Sequence, residues 1–160
     1  MLLDPNERES VVAFLRDQGR GVVATVSAEG LPEAALVGLV TLDDGSIVFN
    51  TFASSRKVAN LRARPSIAVV VGTSGEVTVQ IEGTASIATP DRRASLSEEF
   101  LRHAPGSRVH DAGFALVVVT PEWVRCYDAS ATPSVSAEAR WDRGIPSSEG
   151  ADPGRRLSAR

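Results

Sequence analysis

Apolar, β-branched runs follow one another in the first third of the chain with only short turns between them. Residues 22–27 run to the turn pair Glu29-Gly30, residues 34–42 run to Asp43-Asp44-Gly45, and Ile47–Phe52 returns at once. Strands joined by such short turns pair as antiparallel neighbours, because a parallel return needs a crossover of a dozen or more residues. The same logic extends along the chain. Residues 67–71 form a buried strand. After the Ser74-Gly75 turn, residues 77–82 alternate strictly, so Val77, Val79 and Ile81 face a core and Thr78, Gln80 and Glu82 face away. Gly83 marks a bulge in a strand continuing to Ile87. Residues 114–119 and 123–127 are the last strands, with Pro121 interrupting between them.

Three helical segments separate these strands. Asp4-Pro5-Asn6-Glu7 has the form of a helix start, with Asp4 as cap and Glu7 completing a capping box. Val11, Phe14, Leu15 and Gln18 follow at helical spacing, and Gly19 and Gly21 end the helix. Residues 54–64 form a second helix stopped by Pro65, and Thr89-Pro90-Asp91 opens a third with Leu96, Phe100 and Leu101 inward. The fold class is β-rich α+β: antiparallel strands closing into a small barrel or strongly curled sheet, with short peripheral helices. With 160 residues and 42% hydrophobic content, one domain with a real core is expected. Its span is residues 1–131. Residues 132–160, rich in Pro, Gly, Ser and charge, are expected to be a tail with little structure and dispensable for folding.

Composition narrows the partners. A net charge of −3 argues against a nucleic-acid surface. Cys126 is the only cysteine, which excludes an internal disulfide and a Cys-rich metal site. No apolar run approaches the ~20 residues that span a bilayer, and residues 1–8 lack a leader's apolar region. A cytoplasmic location, with no membrane and no nucleic-acid partner, is the expectation. His103 and His110 are expected as exposed loop histidines, and Cys126 as core packing with Arg125 on the opposite strand face; no metal site is expected.

No dinucleotide loop, phosphate loop or nucleophile elbow is present. The chemistry concentrates in Thr51-Phe52-Ala53-Ser54-Ser55-Arg56-Lys57, which joins a strand end to a helix start and carries the only lysine. Helix-start N–H groups are unpaired and carry partial positive charge. Arg56 and Lys57 can fold back over that end, and Thr51, Ser54 and Ser55 add hydroxyls. The set is either a phosphate cradle or a serine-capped helix with two solvated bases, which would then sit at the wrong end for the helix dipole.

At this point a resemblance becomes specific. Residues 32–38, 47–51 and 55–61 with Pro65, then Gln80-Ile81-Glu82-Gly83-Thr84-Ala85 and Trp123-Val124-Arg125-Cys126-Tyr127-Asp128, resemble the pyridoxamine 5'-phosphate oxidase-like FMN-binding split β-barrels. The similarity covers about residues 10–128. It implies a homodimer with FMN at the subunit interface and an oxidoreductase acting on a small-molecule substrate. Carried over by position, Arg56 and Lys57 hold the FMN phosphate with Thr51 and Ser55, and Asn50 falls in the same matched run. Leu36, Val37 and Gly38 lie along the isoalloxazine ring, and Thr78 or Gln80 reaches the ring or the ribityl chain. The oxidases of the family carry an Arg and a Lys flanking the second strand, where this sequence has Ala35 and Val40. Arg140-Trp141-Asp142-Arg143 does not match their Arg-rich C-terminal segment. The resemblance therefore reaches the cofactor site and not the vitamin B6 substrate site. Two alternatives stay open on the same fold: the deazaflavin F420 in place of FMN, and a non-catalytic flavin- or haem-binding protein.

Overall fold

Arg20–Val26 (β1) and Pro32–Gly38 (β2) form an antiparallel hairpin in which Val23 pairs with Ala35 and Thr25 with Glu33. The structure, a computed structural model, describes residues 3–141. β2 passes through Leu39 into Val40–Thr41 (β3), and the Asp43–Gly45 turn leads to Ile47–Phe52 (β4). Ser66–Val71 (β5), Val77–Ile87 (β6) and Phe114–Asp128 (β7) follow. The strands share one antiparallel sheet in the order β2-β1-β5-β6-β7-β4-β3. Its two ends, β2 and β3, are therefore consecutive pieces of chain separated by one residue. A sheet whose edges are tied together that closely has to curl until they almost meet, and a split barrel is the result.

The barrel interior is filled by the inward positions of each strand: Val23, Ile47, Phe49, Val69, Val71, Val79, Ile81, Val117 and Val119 are all essentially inaccessible to solvent. Arg8–Gln18 (α1) adds Val11, Val12 and Leu15 to this core. A second apolar cluster forms outside the barrel, where Leu96 and Phe100 of Pro90–His103 (α3) cover Val48, Leu116 and Val118. Arg56–Ala63 (α2) packs on β1 and β6 through Val58 and Leu61.

Several expectations change at the level of single residues. α1 begins at Arg8 with Glu7 at the N-cap and no side-chain cap. The Asp4 carboxylate instead accepts from the Asn6 backbone and side chain, so residues 4–6 form a separate turn. Gly19, at φ +60°, does end α1. Gly21 lies inside β1, where a Cβ would stand 2.6 Å from the Val70 carbonyl oxygen, so close strand packing explains it. Pro121 does not interrupt the sheet. It sits opposite the register shift at Glu82/Gly83, where the bulge needs no N–H from it, and β7 runs through for 15 residues.

The expected tail is also corrected. Val135–Arg140 (β8) pairs with β7 over residues 123–128, and Trp141 closes the strand with 5% exposure. Its indole Nε1–H donates to the Pro5 carbonyl at 2.8 Å, and the Arg8 guanidinium lies 4.7 Å from the ring centroid. Composition missed this because an edge strand is held by backbone pairing and one anchor, neither of which needs an apolar segment. Residues 142–160, the rest of that expected tail, lie outside the described residues.

Candidate functional site

Thr51 occupies the last inward position of β4 and is buried. The chain then turns, with Ser55 N–H bonding to the Phe52 carbonyl, and α2 starts at Arg56. Ser55 has the extended backbone of an N-cap, yet its hydroxyl caps nothing. It lies 3.3 Å from the Thr51 hydroxyl, to which Lys57 Nζ donates at 3.4 Å. Among the described residues, the Arg56 and Lys57 backbone N–H groups have no acceptor. Two hydroxyls and an ammonium are thus in mutual contact at the start of the helix. Chemically, donors of this kind at a helix start suit an anion such as a phosphate.

Arg56 turns the other way. Its guanidinium forms an ion pair with Glu33 of β2, whose second carboxylate oxygen accepts from Asn60 Nδ2 at 2.9 Å. Asn60, buried on the inner side of α2, also donates to the Thr25 hydroxyl at 3.0 Å. Together these bonds fasten α2 across the β1–β2 hairpin. Arg64, at the C-terminal end of α2, fastens it again by donating to the Ser27 and Ala28 carbonyls of the β1–β2 turn. Between helix and hairpin lies a cleft of about 460 Å³. Glu33, Ala34 and Ala35, Val23 and Thr25, and Arg56 and Lys57 line it.

The ten residues singled out by sequence divide. Arg56 and Lys57 line the cleft, and Lys57 reaches back to Thr51 and, through it, Ser55, which lie behind the lining. Asn50 points to the opposite face of β4, toward α3, where it lines a separate cleft of about 300 Å³ with Gly38, Leu39 and Phe100. Gly38 has open space on its Cα, so a planar group can approach its backbone. Val37 faces inward against the core. Leu36 points outward and is 58% exposed. β2 pairs only with β1, leaving its other edge running from the first cleft toward the second. Gln80 shares a cross-strand row with Leu36, through Val70 and Val22. Three strand spacings put the two roughly 14 Å apart on the outer face. Thr78 lies on that face too. Neither borders the cleft of its own chain.

Sequence reasoning missed Glu33, Asn60 and Thr25. A usable signal was present: Glu33 is the one charged residue at an inward position of β2, where Ala35 and Val37 occupy the others. Of the two expected replacements in the substrate region, Ala35 lines the cleft and Val40 is buried beneath α3. His103 and His110 are exposed, away from the cleft. Cys126 is fully buried in the barrel core, and that burial pushes its thiol pKa up to about 11.

Comparisons with known proteins agree with this geometry. The pyridoxamine 5'-phosphate oxidase family profile matches residues 8–128. A pyridoxine/pyridoxamine 5'-phosphate oxidase of Bacteroides thetaiotaomicron is 35% identical over 99 residues, 61% of this chain and 45% of that protein, so the match spans less than half the relative's length. A pyridoxamine 5'-phosphate oxidase-related, FMN binding protein from Nostoc punctiforme superposes with TM-score 0.60 at 14% identity, covering 83% of this chain and 94% of that one. An F420 reductase superposes with TM-score 0.58 at 19% identity, covering 70% and 93%. The profile accounts for the barrel strands and for the β4–α2 junction alike, and on that match the chain belongs to the pyridoxamine 5'-phosphate oxidase family.

Proposed function

We propose that the chain is an oxidoreductase using a flavin-type cofactor, FMN or its deazaflavin counterpart F420, held by its phosphate at the start of α2. The observation that carries this is the contact of Thr51 with Ser55 and Lys57 at the start of α2, with Lys57 itself lining the cleft. Membership of a family with an FMN-binding structural relative and an F420-reductase relative supports it. The residues fit such a group. Lys57 and Arg56 supply positive charge, the hydroxyls supply donors, and the free edge of β2 offers backbone groups along which a flat ring can lie toward Gly38. The bound cofactor supplies the electron chemistry, and the chain orients it and balances its charge. The haem alternative has a structural relative of its own, a heme binding protein from Mycobacterium smegmatis that superposes with TM-score 0.69 at 19% identity, while neither histidine borders either cleft.

The substrate is a small molecule, and Ala35 and Val40, at the positions where the resemblance places the oxidases' cations, count against vitamin B6 phosphates. The active form is a homodimer. Val22, Ala24, Val26, Leu36, Ala68 and Val70 form an apolar outer face on β1, β2 and β5, with Val26 40% and Leu36 58% exposed. A second copy laid on that face would bring its own Thr78 and Gln80 toward the cofactor. The experiment is to purify the protein and record its visible spectrum, then identify by mass spectrometry what denaturation releases. A flavin or deazaflavin chromophore at about one per chain is expected. An apo-protein that takes up neither FMN nor F420 overturns the assignment. Light scattering of the loaded protein should give twice the chain mass, and a monomer removes the shared-site reading.

A further inference from the structure

The cationic end of the cleft contains a carboxylate. Glu33 lies on the inward face of β2 opposite Thr25, with its side chain 18% exposed, while its ion-pair partner Arg56 is 81% exposed. One carboxylate oxygen meets Arg56 and the other accepts from Asn60, which is itself tied to Thr25. Glu33 is thus the fixed member of the pair and the guanidinium the solvated one. A carboxylate this enclosed stays charged only while it is paired and hydrogen-bonded, and both conditions are met. Nearby, Arg64 is held on the Ser27 and Ala28 carbonyls, and Glu29 accepts from the Ser27 hydroxyl.

We propose that Glu33 selects the charge of the anion bound in this cleft, favouring a singly charged phosphate diester over a doubly charged phosphate monoester. The inference rests on the reading that this end of the cleft takes the cofactor's phosphate. Among the side chains, Arg56 and Lys57 bring two positive charges and Glu33 removes one, leaving one net positive charge beside the partial charge of the helix start. A phosphate diester carries one negative charge and balances it. A monoester carries nearly two at neutral pH and would set three negative charges against two cations. Arg56 need not give up Glu33 to bind a diester. Its planar fork has five donors, enough for the carboxylate on one side and one phosphate oxygen on another. The exposure of Arg56 also leaves room for a chain that continues past the phosphate, which a diester has and FMN lacks. The favoured cofactor class is therefore a flavin or deazaflavin esterified on both sides of its phosphate, as F420 is.

The test uses three probes that differ only at the phosphate: riboflavin, FMN and the monomethyl ester of FMN. Each is titrated at pH 7.5 and fixed salt by flavin fluorescence, on the parent and on Glu33→Gln, which keeps an oxygen for Asn60. The parent is expected to bind the methyl ester at least as tightly as FMN, and both more tightly than riboflavin. In Glu33→Gln the ratio of affinities should move toward FMN by about tenfold, with riboflavin unchanged. A merely structural role for Glu33 would shift all three probes together. A parent that binds FMN more tightly than its methyl ester overturns the inference without recourse to a variant, as does a ratio that Glu33→Gln leaves where it was. Phosphate compounds binding no better than riboflavin would instead strike the phosphate reading of the cleft, and this inference with it.

Discussion

Trp141 should be one of the costliest residues to remove, although it sits in a stretch whose composition looks dispensable. The ring is 95% withdrawn from solvent against the barrel core, its Nε1–H donates to Pro5, and a Cβ at Gly45 would lie 2.8 Å from it. Truncation of a buried Trp to Ala costs about 3–5 kcal/mol, mostly from lost apolar burial and the cavity left behind. The hydrogen bond to Pro5 accounts for about 1 kcal/mol of that. Urea unfolding of Trp141→Ala, followed by the fluorescence of the remaining Trp123, should show the midpoint fall by roughly 1.5–2.5 M for an m-value of ~2 kcal/mol/M. Trp141→Phe should recover part of the loss, because it keeps one aromatic ring and gives up the pyrrole half with its donor. If the Ala variant unfolds within ~0.3 M of the parent, Trp141 is not an anchor and β8 adds nothing to the core.

Ser97 is fully buried on α3 with no hydrogen-bond partner for its hydroxyl, so Ser97→Ala should raise stability by about 1 kcal/mol in the same assay; a loss would mean the hydroxyl is satisfied. A Cβ at Gly83 would meet the Thr120 carbonyl oxygen at 2.1 Å, so Gly83→Ala should cost about 3 kcal/mol or more, and an unaffected midpoint would contradict the bulge geometry. The Cys126 thiol, buried and with its pKa raised to about 11, should resist a thiol reagent at pH 8 until urea unfolds the chain; rapid labelling of the native protein would show it to be accessible. Hydrogen bonds from Asn6, Ser27, Arg16 and Ser130 hold the carboxyls of Asp4, Glu29, Asp43 and Asp128 below their ordinary values of 3.8 for Asp and 4.5 for Glu. Their stabilisation is present above those values and lost as pH falls through the lowered folded ones, so Tm should be flat from about pH 7 to 5 and fall below about pH 4. A Tm that rises on acidification there would reverse the sign.

The barrel was legible because its cause is local. Short turns force antiparallel neighbours, and the alternation of Val77, Val79 and Ile81 states which face is buried. The grouping of Thr51, Ser55 and Lys57 was legible for the same reason: they are close in sequence, across a single strand-to-helix junction. What escaped depends on contacts distant in sequence. Glu33 meets Arg56 only because the β1–β2 hairpin lies over the start of α2, and Trp141 meets Pro5 across almost the whole chain. Asn50 and Thr51 were read as one site, yet neighbouring strand residues face opposite ways, and β4 sends one to α3 and the other to α2. Pro121 broke a strand on paper because the bulge that tolerates it is partly written on another strand, at Gly83.

The central claim is that Arg56 and Lys57 hold a cofactor phosphate, and the direct measurement compares FMN with riboflavin on the Arg56→Ala/Lys57→Ala double variant. Arg56 is largely exposed and Lys57 half-buried, with neither in the core, so the variant should fold, at a Tm below the parent's because Glu33 loses its ion-pair partner. Each charge-assisted contact is worth roughly 1.5–3 kcal/mol. FMN affinity should therefore fall at least about a hundredfold, ~2.7 kcal/mol, while riboflavin binds both proteins equally. FMN binding to the double variant as tightly as to the parent would place the phosphate elsewhere and contradict the account.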